Sequence, residues 1–187
     1  MIRKVCYSFL FFCFLDLLVF SCCSNEYHQN LSTVSVSIDD LEDYDLSEIH
    51  WQNFQFSILV GYETEQISLF QDFERLQSTA YATTCDSNYT MINRAMEFYI
   101  VADEEINGFP AGEPVNSLFE IKNLSTDNID SILRYINGDE YYSGDNYFLI
   151  FNQPIQASIT TRFKLNIVLE DGQTIERITF PTTILVD

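Results

Sequence analysis

The stretch TTRFKLNIVLEDGQTIERITF, residues 160–180, constrains the fold more than any other part of the chain. Phe163, Leu165, Ile167 and Leu169 alternate with Arg162, Lys164 and Asn166, the period of two that turns one face of a strand into a core. Asp171-Gly172 follows, a pair that predicts a type I′ hairpin turn, and the chain returns through QTIERITF. Pro181 ends the returning strand, and TTILV can form a terminal one.

The same period recurs upstream. TVSVSI (33–38) is alternating and β-branched and predicts a first strand. In NFQFSILVGYE (53–63), Phe54, Phe56, Ile58, Val60 and Tyr62 fall on one face, and Gly61 hints at a bulge or a close approach. QSTAYATT predicts a strand leading to Cys85, AMEFYIVA (95–102) one with Met96, Phe98 and Ile100 on a common face, and NYFLIFN (146–152) a buried one. EQISLFQDFERL allows a short helix within a connection, because Ile67, Phe70, Phe73 and Leu76 recur every three residues. STDNIDSILRYING (125–138) carries helix signals at both ends: Ser125 or Thr126 to cap, Asp127 and Asp130 in the first turn, Gly138 to stop. Residues 103–123 hold glycines and prolines and predict a structured loop with Phe109, Leu118 and Phe119 turned inward. Many strands, one short helix and no βαβ alternation predict a mainly β fold, an antiparallel, immunoglobulin-like β-sandwich over residues 33–187. Phe54, Phe56, Ile58, Phe98, Ile100, Leu149, Phe163, Leu165 and Ile167 are its expected core.

The N-terminus has a different character. MIRK is basic, and the apolar run after it is broken by few polar residues, among them Asp16. A basic segment, an apolar segment and a small residue before a cut describe a signal peptide over 1–21. The rival reading is an uncleaved anchor, which Asp16 disfavours, since a carboxylate in lipid costs about 2.5–3.5 kcal/mol on insertion scales. LVFSC resembles the bacterial lipobox, with Val19 at −3, Ser21 at −1 and Cys22 as the lipidated residue; Phe20 is bulkier than usual at −2. Residues 22–32 then form a lipidated N-terminus and a polar tether. Several acyl chains hold such a protein to a bilayer, because a single chain binds only marginally.

Cleavage removes Cys6 and Cys13 and commits Cys22, leaving Cys23 and Cys85. An exported chain tolerates a bridge between them, but the preferred reading is an unpaired Cys85. The chain carries 28 acidic against 9 basic side chains, a formal charge of −19. Such a surface repels nucleic acid and anionic headgroups and suits solubility, cationic partners or divalent ions. The acidic segment DDLEDYDLSE (39–48) lacks the glycine and spacing of a calcium loop and reads as a solvated loop.

Several of these segments together, STAYATTC, MEFYIVADEEINGFPAGEPVNSLF and FKLNIVLEDGQTIERITFPTTILV, resemble a family of uncharacterised lipoproteins from Bacteroidetes. The resemblance rests on Glu105-Ile106-Asn107, Pro110-Ala111-Gly112, Asn116 and Leu118-Phe119, and covers most of residues 53–187. It implies the cell envelope, with an outer-membrane anchor whose periplasmic or surface face stays open, and implies no activity.

The catalytic raw material is thin. His28 lies in the tether and His50 beside Trp51, and there is no nucleophile elbow, no His-Glu-x-x-His and no phosphate loop. Nothing asks for a metal or cofactor, and no catalytic residue is assigned. Asp103, Glu104, Glu105, Asp139 and Glu140 could supply a glycosidase pair, so a carboxylate-dependent glycoside hydrolase is the alternative function. The first reading is a non-catalytic binding or structural lipoprotein with a protein or glycan ligand. Its candidate ligand surface is Phe109, Tyr141 and Tyr142, aromatic groups placed in loops.

Overall fold

Strands β1 (Asn25–Asp40), β2 (Glu48–His50), β3 (Phe54–Gln66) and β4 (Ser87–Met91) make up the first half of the chain. β5 (Ala95–Ala102), β6 (Phe119–Ile121), β7 (Asn146–Phe151), β8 (Ile159–Thr161), β9 (Phe163–Leu169), β10 (Thr174–Ile178) and β11 (Thr182–Leu185) follow. Among the described residues one α-helix, α1 (Ile132–Ile136), sits between β6 and β7, preceded by a 3₁₀ turn at Ile129–Ser131. The structure, a computed structural model, describes residues 25–40, 48–67, 87–122, 129–139 and 146–186. The fold is mainly β. The expected strand over 77–84, Cys22, Cys23, Cys85, and the proposed helix cap at Ser125 or Thr126 lie outside the described residues.

By packing the chain forms two units. In the first, Met1–Gln29 with Thr64–Thr90, Tyr27 stacks on Tyr89 with ring centroids 5.2 Å apart. In the second, Asn30–Glu63 with Met91–Asp187, three sheets are present. β1, β3, β7 and β6 are neighbours in that order; β10-β9-β5 and β2-β11-β8 are separate sheets. Pairing is antiparallel at β3–β7, β6–β7, β5–β9, β9–β10 and β8–β11, but β2 and β11 run parallel, a departure from the all-antiparallel expectation.

The core follows the alternation. All nine expected core residues are buried, and Phe54, Phe56, Ile58, Ile100, Leu149, Phe163, Leu165 and Ile167 are fully so. Its centre is aromatic. Phe54 lies 4.7 Å from Phe151, and Phe119 lies 4.9 Å from Phe151, ring to ring. Phe163 from the other sheet meets Phe54 and Phe119 edge-on at 5.6 and 5.8 Å. Edge-to-face contacts of this kind contribute about 0.5–1.5 kcal/mol each beyond the area they bury.

Four local expectations change. Asn25–Ser32, expected in a tether, belong to β1. The segment is polar, but a strand needs only its backbone paired, and β1 has β4 on one side and β3 on the other. Met96, expected inward, is 57% exposed, because the register of β5 against β9 shifts between Ala95 and Glu97 and Ala95 takes the inward place. Asp171-Gly172 does not make a type I′ turn, which needs positive φ at both central residues. Among the described non-glycine residues only Asn107 has one. Instead Gly172 donates to Leu169 O at 2.9 Å, Leu169 donates to Gln173 O at 2.8 Å, and Gly172 takes φ 83°. This is a three-residue loop with a glycine bulge. Glu170 and Asp171 are gripped by the neighbouring turn, the first donating to Arg94 O at 2.8 Å and the second to Asn93 Oδ1 at 3.2 Å. The fourth is the type I′ turn itself, which occurs at Asn107-Gly108, inside the segment expected as loop: φ is 50° and 82°, and Ile106 and Phe109 exchange hydrogen bonds of 3.0 and 2.9 Å.

Two expectations hold in detail. A Cβ on Gly61 would meet Thr33 Oγ1, so β1 and β3 approach closely there and a larger residue would have to displace the Thr33 hydroxyl. α1 ends at Gly138 with φ 71°, Asp139 donating to Arg134 O at 2.8 Å and Gly138 to Tyr135 O at 3.0 Å, the paired bonds of a Schellman stop.

Candidate ligand surface

Phe109 ends the two-residue hairpin that begins at Ile106. Ile106 is buried, and Phe109 is half-buried and packs against the core. Its ring therefore helps seal the core and offers a ligand only its outer part. Pro110, Ala111 and Gly112 beside it are exposed. Glu113 donates to Pro110 O at 3.1 Å and Gly112 takes φ 82°, the pattern of a type II turn. Tyr141 and Tyr142 lie outside the described residues, as does Glu140.

The loop is fastened by side-chain amides; Asn107 and Asn116 carry part of the family resemblance, but the sequence assigned them no structural role. Asn107 Nδ2 donates to Pro154 O at 3.1 Å while its Oδ1 accepts from Gln156 N at 2.8 Å. Asn116 does the same to β5, accepting from Ile100 N at 2.8 Å and donating to Phe98 O at 2.9 Å. Asn137, after α1, holds both backbone atoms of Ala95 at 2.8 Å. Each amide presents a donor and an acceptor side by side, so it substitutes for a paired strand. The Asn-Gly dipeptides at 107 and 137 were the sequence signal available, since both mark turns.

Between the hairpin and residues 156–159 lies a shallow depression of about 340 Å³, lined by Glu104, Glu105, Ile106, Asn107, Gln156 and Ser158, among others. Glu104 and Glu105 are exposed, and the Glu104 N–H donates to Thr161 Oγ1 at 3.3 Å. Asp103 pairs with Arg162 at 3.3 Å, with both side chains about half exposed, so the pair is screened by water. A second depression, about 420 Å³, lies over β1, β3 and β7. There Ser57 donates to Asp39 Oδ2, and Ser37 donates to Asp39 Oδ1 at 3.4 Å. His50 lines neither. Its Nδ1 accepts from Gln52 N at 3.3 Å, and its ring lies 6.1 Å from that of Trp51. Among the described residues no group of three or more His, Cys, Asp or Glu is arranged to hold a metal, and no helix is long and apolar enough to cross a membrane. Chemically, the first depression offers hydrogen-bond acceptors and an apolar rim at the surface. That suits recognition of a polar or cationic group.

No family model matches the chain, and no curated protein matches it. Among solved structures, the major pilin subunit of Bacillus cereus is similar at 7% identity over 86% of this chain and 69% of that one, with a TM-score of 0.20. A likeness that weak decides nothing about fold or function.

Proposed function

We propose that the chain is a membrane-anchored lipoprotein of the cell envelope, held at the outer membrane, whose folded part is a non-catalytic binding or structural module. The observation that carries this is the sequence Val19-Phe20-Ser21-Cys22 at the end of a basic-then-apolar leader. The resemblance to Bacteroidetes lipoproteins supports the same location. In its finer architecture the fold is an immunoglobulin-like sandwich, antiparallel except where β2 and β11 run parallel. Two features favour that: Phe163 meets the phenylalanines of the other sheet, and Arg177 on β10 donates to Val34 O on β1 at 2.6 Å. The ligand, a protein or a glycan, is met at the loop end that carries Phe109, with Tyr141 and Tyr142 as its further aromatics.

Exposure of Glu104 and Glu105 favours binding over hydrolysis. Both lie at a shallow, open depression rather than in the enclosed cleft that a glycosidase pair works in. Cys22→Ala should abolish incorporation of labelled fatty acid and leave the precursor uncut; undiminished label would falsify the anchor. Protease treatment of intact cells distinguishes a surface from a periplasmic face. Screening against glycan and peptide-substrate panels tests the module, and turnover lost on changing one carboxylate to its amide would establish the hydrolase instead.

A further inference from the structure

The two outer strands of the β10-β9-β5 sheet are finished in opposite ways. Along β5 most of the outward backbone groups are occupied. Asn137 takes both at Ala95, Asn116 takes Phe98 O and Ile100 N, Val115 N donates to Ile100 O at 2.8 Å, and Gly112 N to Ala102 O at 2.8 Å. Natural proteins close edges in this manner because a row of unpaired N–H and C=O groups is a template for another strand.

β10 is not closed. Leu169 donates to Gln173 O and Thr179 donates to Phe163 O, so residues 173, 175, 177 and 179 face β9 and residues 174, 176, 178 and 180 face outward. Glu176 O accepts from Arg177 Nη1 at 2.7 Å. The outward backbone groups of Ile178 and Phe180 have no partner among the described residues. The side chains there are apolar and open to water: Ile178 is 50% exposed and Phe180 89%. A phenylalanine so exposed, two residues beyond an exposed isoleucine on an unpaired edge, has both parts of a strand-addition site. The backbone groups supply affinity and the alternate side chains supply selectivity. Pro181 bounds the site, since it brings no donor.

We infer that the open edge of β10, from Thr174 to Phe180, receives an extended segment of a partner protein that alternates apolar and basic residues. Charge selects the occupant. Glu170, Asp171 and Glu176 lie along this hairpin against two cations, Lys164, which pairs with Glu176 at 3.3 Å, and Arg177, which donates to Val34 O and Glu176 O, so acids outnumber bases here as they do over the whole chain. A second copy would bring another −19 to the same edge and is repelled, whereas a lysine-bearing strand is attracted. The inference rests on the reading of the chain as a binding module and is independent of the surface at Phe109 and of the lipid anchor.

The test uses the full-length chain in detergent and a labelled nine-residue peptide alternating valine with lysine, followed by fluorescence anisotropy. Affinity should fall about tenfold or more for the same peptide with glutamate in place of lysine, for the lysine peptide N-methylated along one edge, and for Ile178→Lys or Phe180→Ser with the unmodified peptide. Both substitutions sit at exposed positions, and far-ultraviolet circular dichroism should show the fold unchanged. Absence of binding, equal binding of the lysine and glutamate peptides, or affinity indifferent to N-methylation and to both variants would overturn the inference. A concentration-dependent dimer lost in Ile178→Lys would overturn it in favour of a second copy. Fatty-acid labelling is read on the same preparation, so loss of the anchor and loss of this edge are seen separately.

Discussion

Asn116 shows how much a single residue does here. Its amide satisfies one acceptor and one donor on β5 in a partly buried place. Asn116→Ala should cost about 1–3 kcal/mol, the penalty of stranding polar groups away from water, read as a lowered urea midpoint. Asn116→Asp keeps an acceptor for Ile100 N–H but sets a carboxylate against Phe98 O, so it should do no better near neutral pH. Stability equal to the parent in both would show that the clamp contributes nothing. In the core, Leu165→Ala should cost about 2–5 kcal/mol, because Leu165 is fully buried at the centre of β9. Residues like Leu165 were legible from alternation alone. Asn116 was not, because an asparagine that clamps a strand and one that faces water look the same in a sequence.

At the scale of elements, the hairpin joining β9 and β10 was legible in place but not in kind. Asp171-Gly172 marked the turn, yet contacts from residues 93 and 94, distant in sequence, set its length and conformation. The consequence is specific. Gly172 holds φ 83° while Asp171 does not need a positive φ. Gly172→Ala should therefore destabilise by about 1 kcal/mol, whereas Asp171→Ala should lose only the bond that Gln173 N makes to Asp171 Oδ1. A larger loss at position 171 than at 172, measured by thermal unfolding, would contradict the three-residue loop. β1 escaped the sequence reading over 25–32 for a related reason. Its partners, not its own polar residues, make it a strand. Met96 shows the same limit, since a bulge is a property of two strands rather than one.

For the whole molecule, the acidic excess bears on stability and on partners alike. With a formal charge of −19 the folded chain repels itself, and salt screens that repulsion. Raising sodium chloride from about 0.02 to 0.5 M shortens the screening length severalfold, so the unfolding midpoint should rise. A midpoint that falls over that range would mean attractive pairs dominate, and the exposed pairs Asp103–Arg162 and Lys164–Glu176 are too weak to predict that. The mainly β class was readable from the alternation of residues 160–180 and its echoes upstream. The candidate surface was readable only as a loop carrying Phe109, because half-burial against a core is decided by packing. The anchor, by contrast, is a matter of sequence from beginning to end, and the account of location and function depends on it. Mass spectrometry of the N-terminal peptide of the mature protein from native membranes tests it most directly. The account predicts a peptide beginning at Cys22, lacking residues 1–21 and heavier by the mass of its acyl chains. An unmodified peptide that begins elsewhere, or an intact Met1, would contradict it.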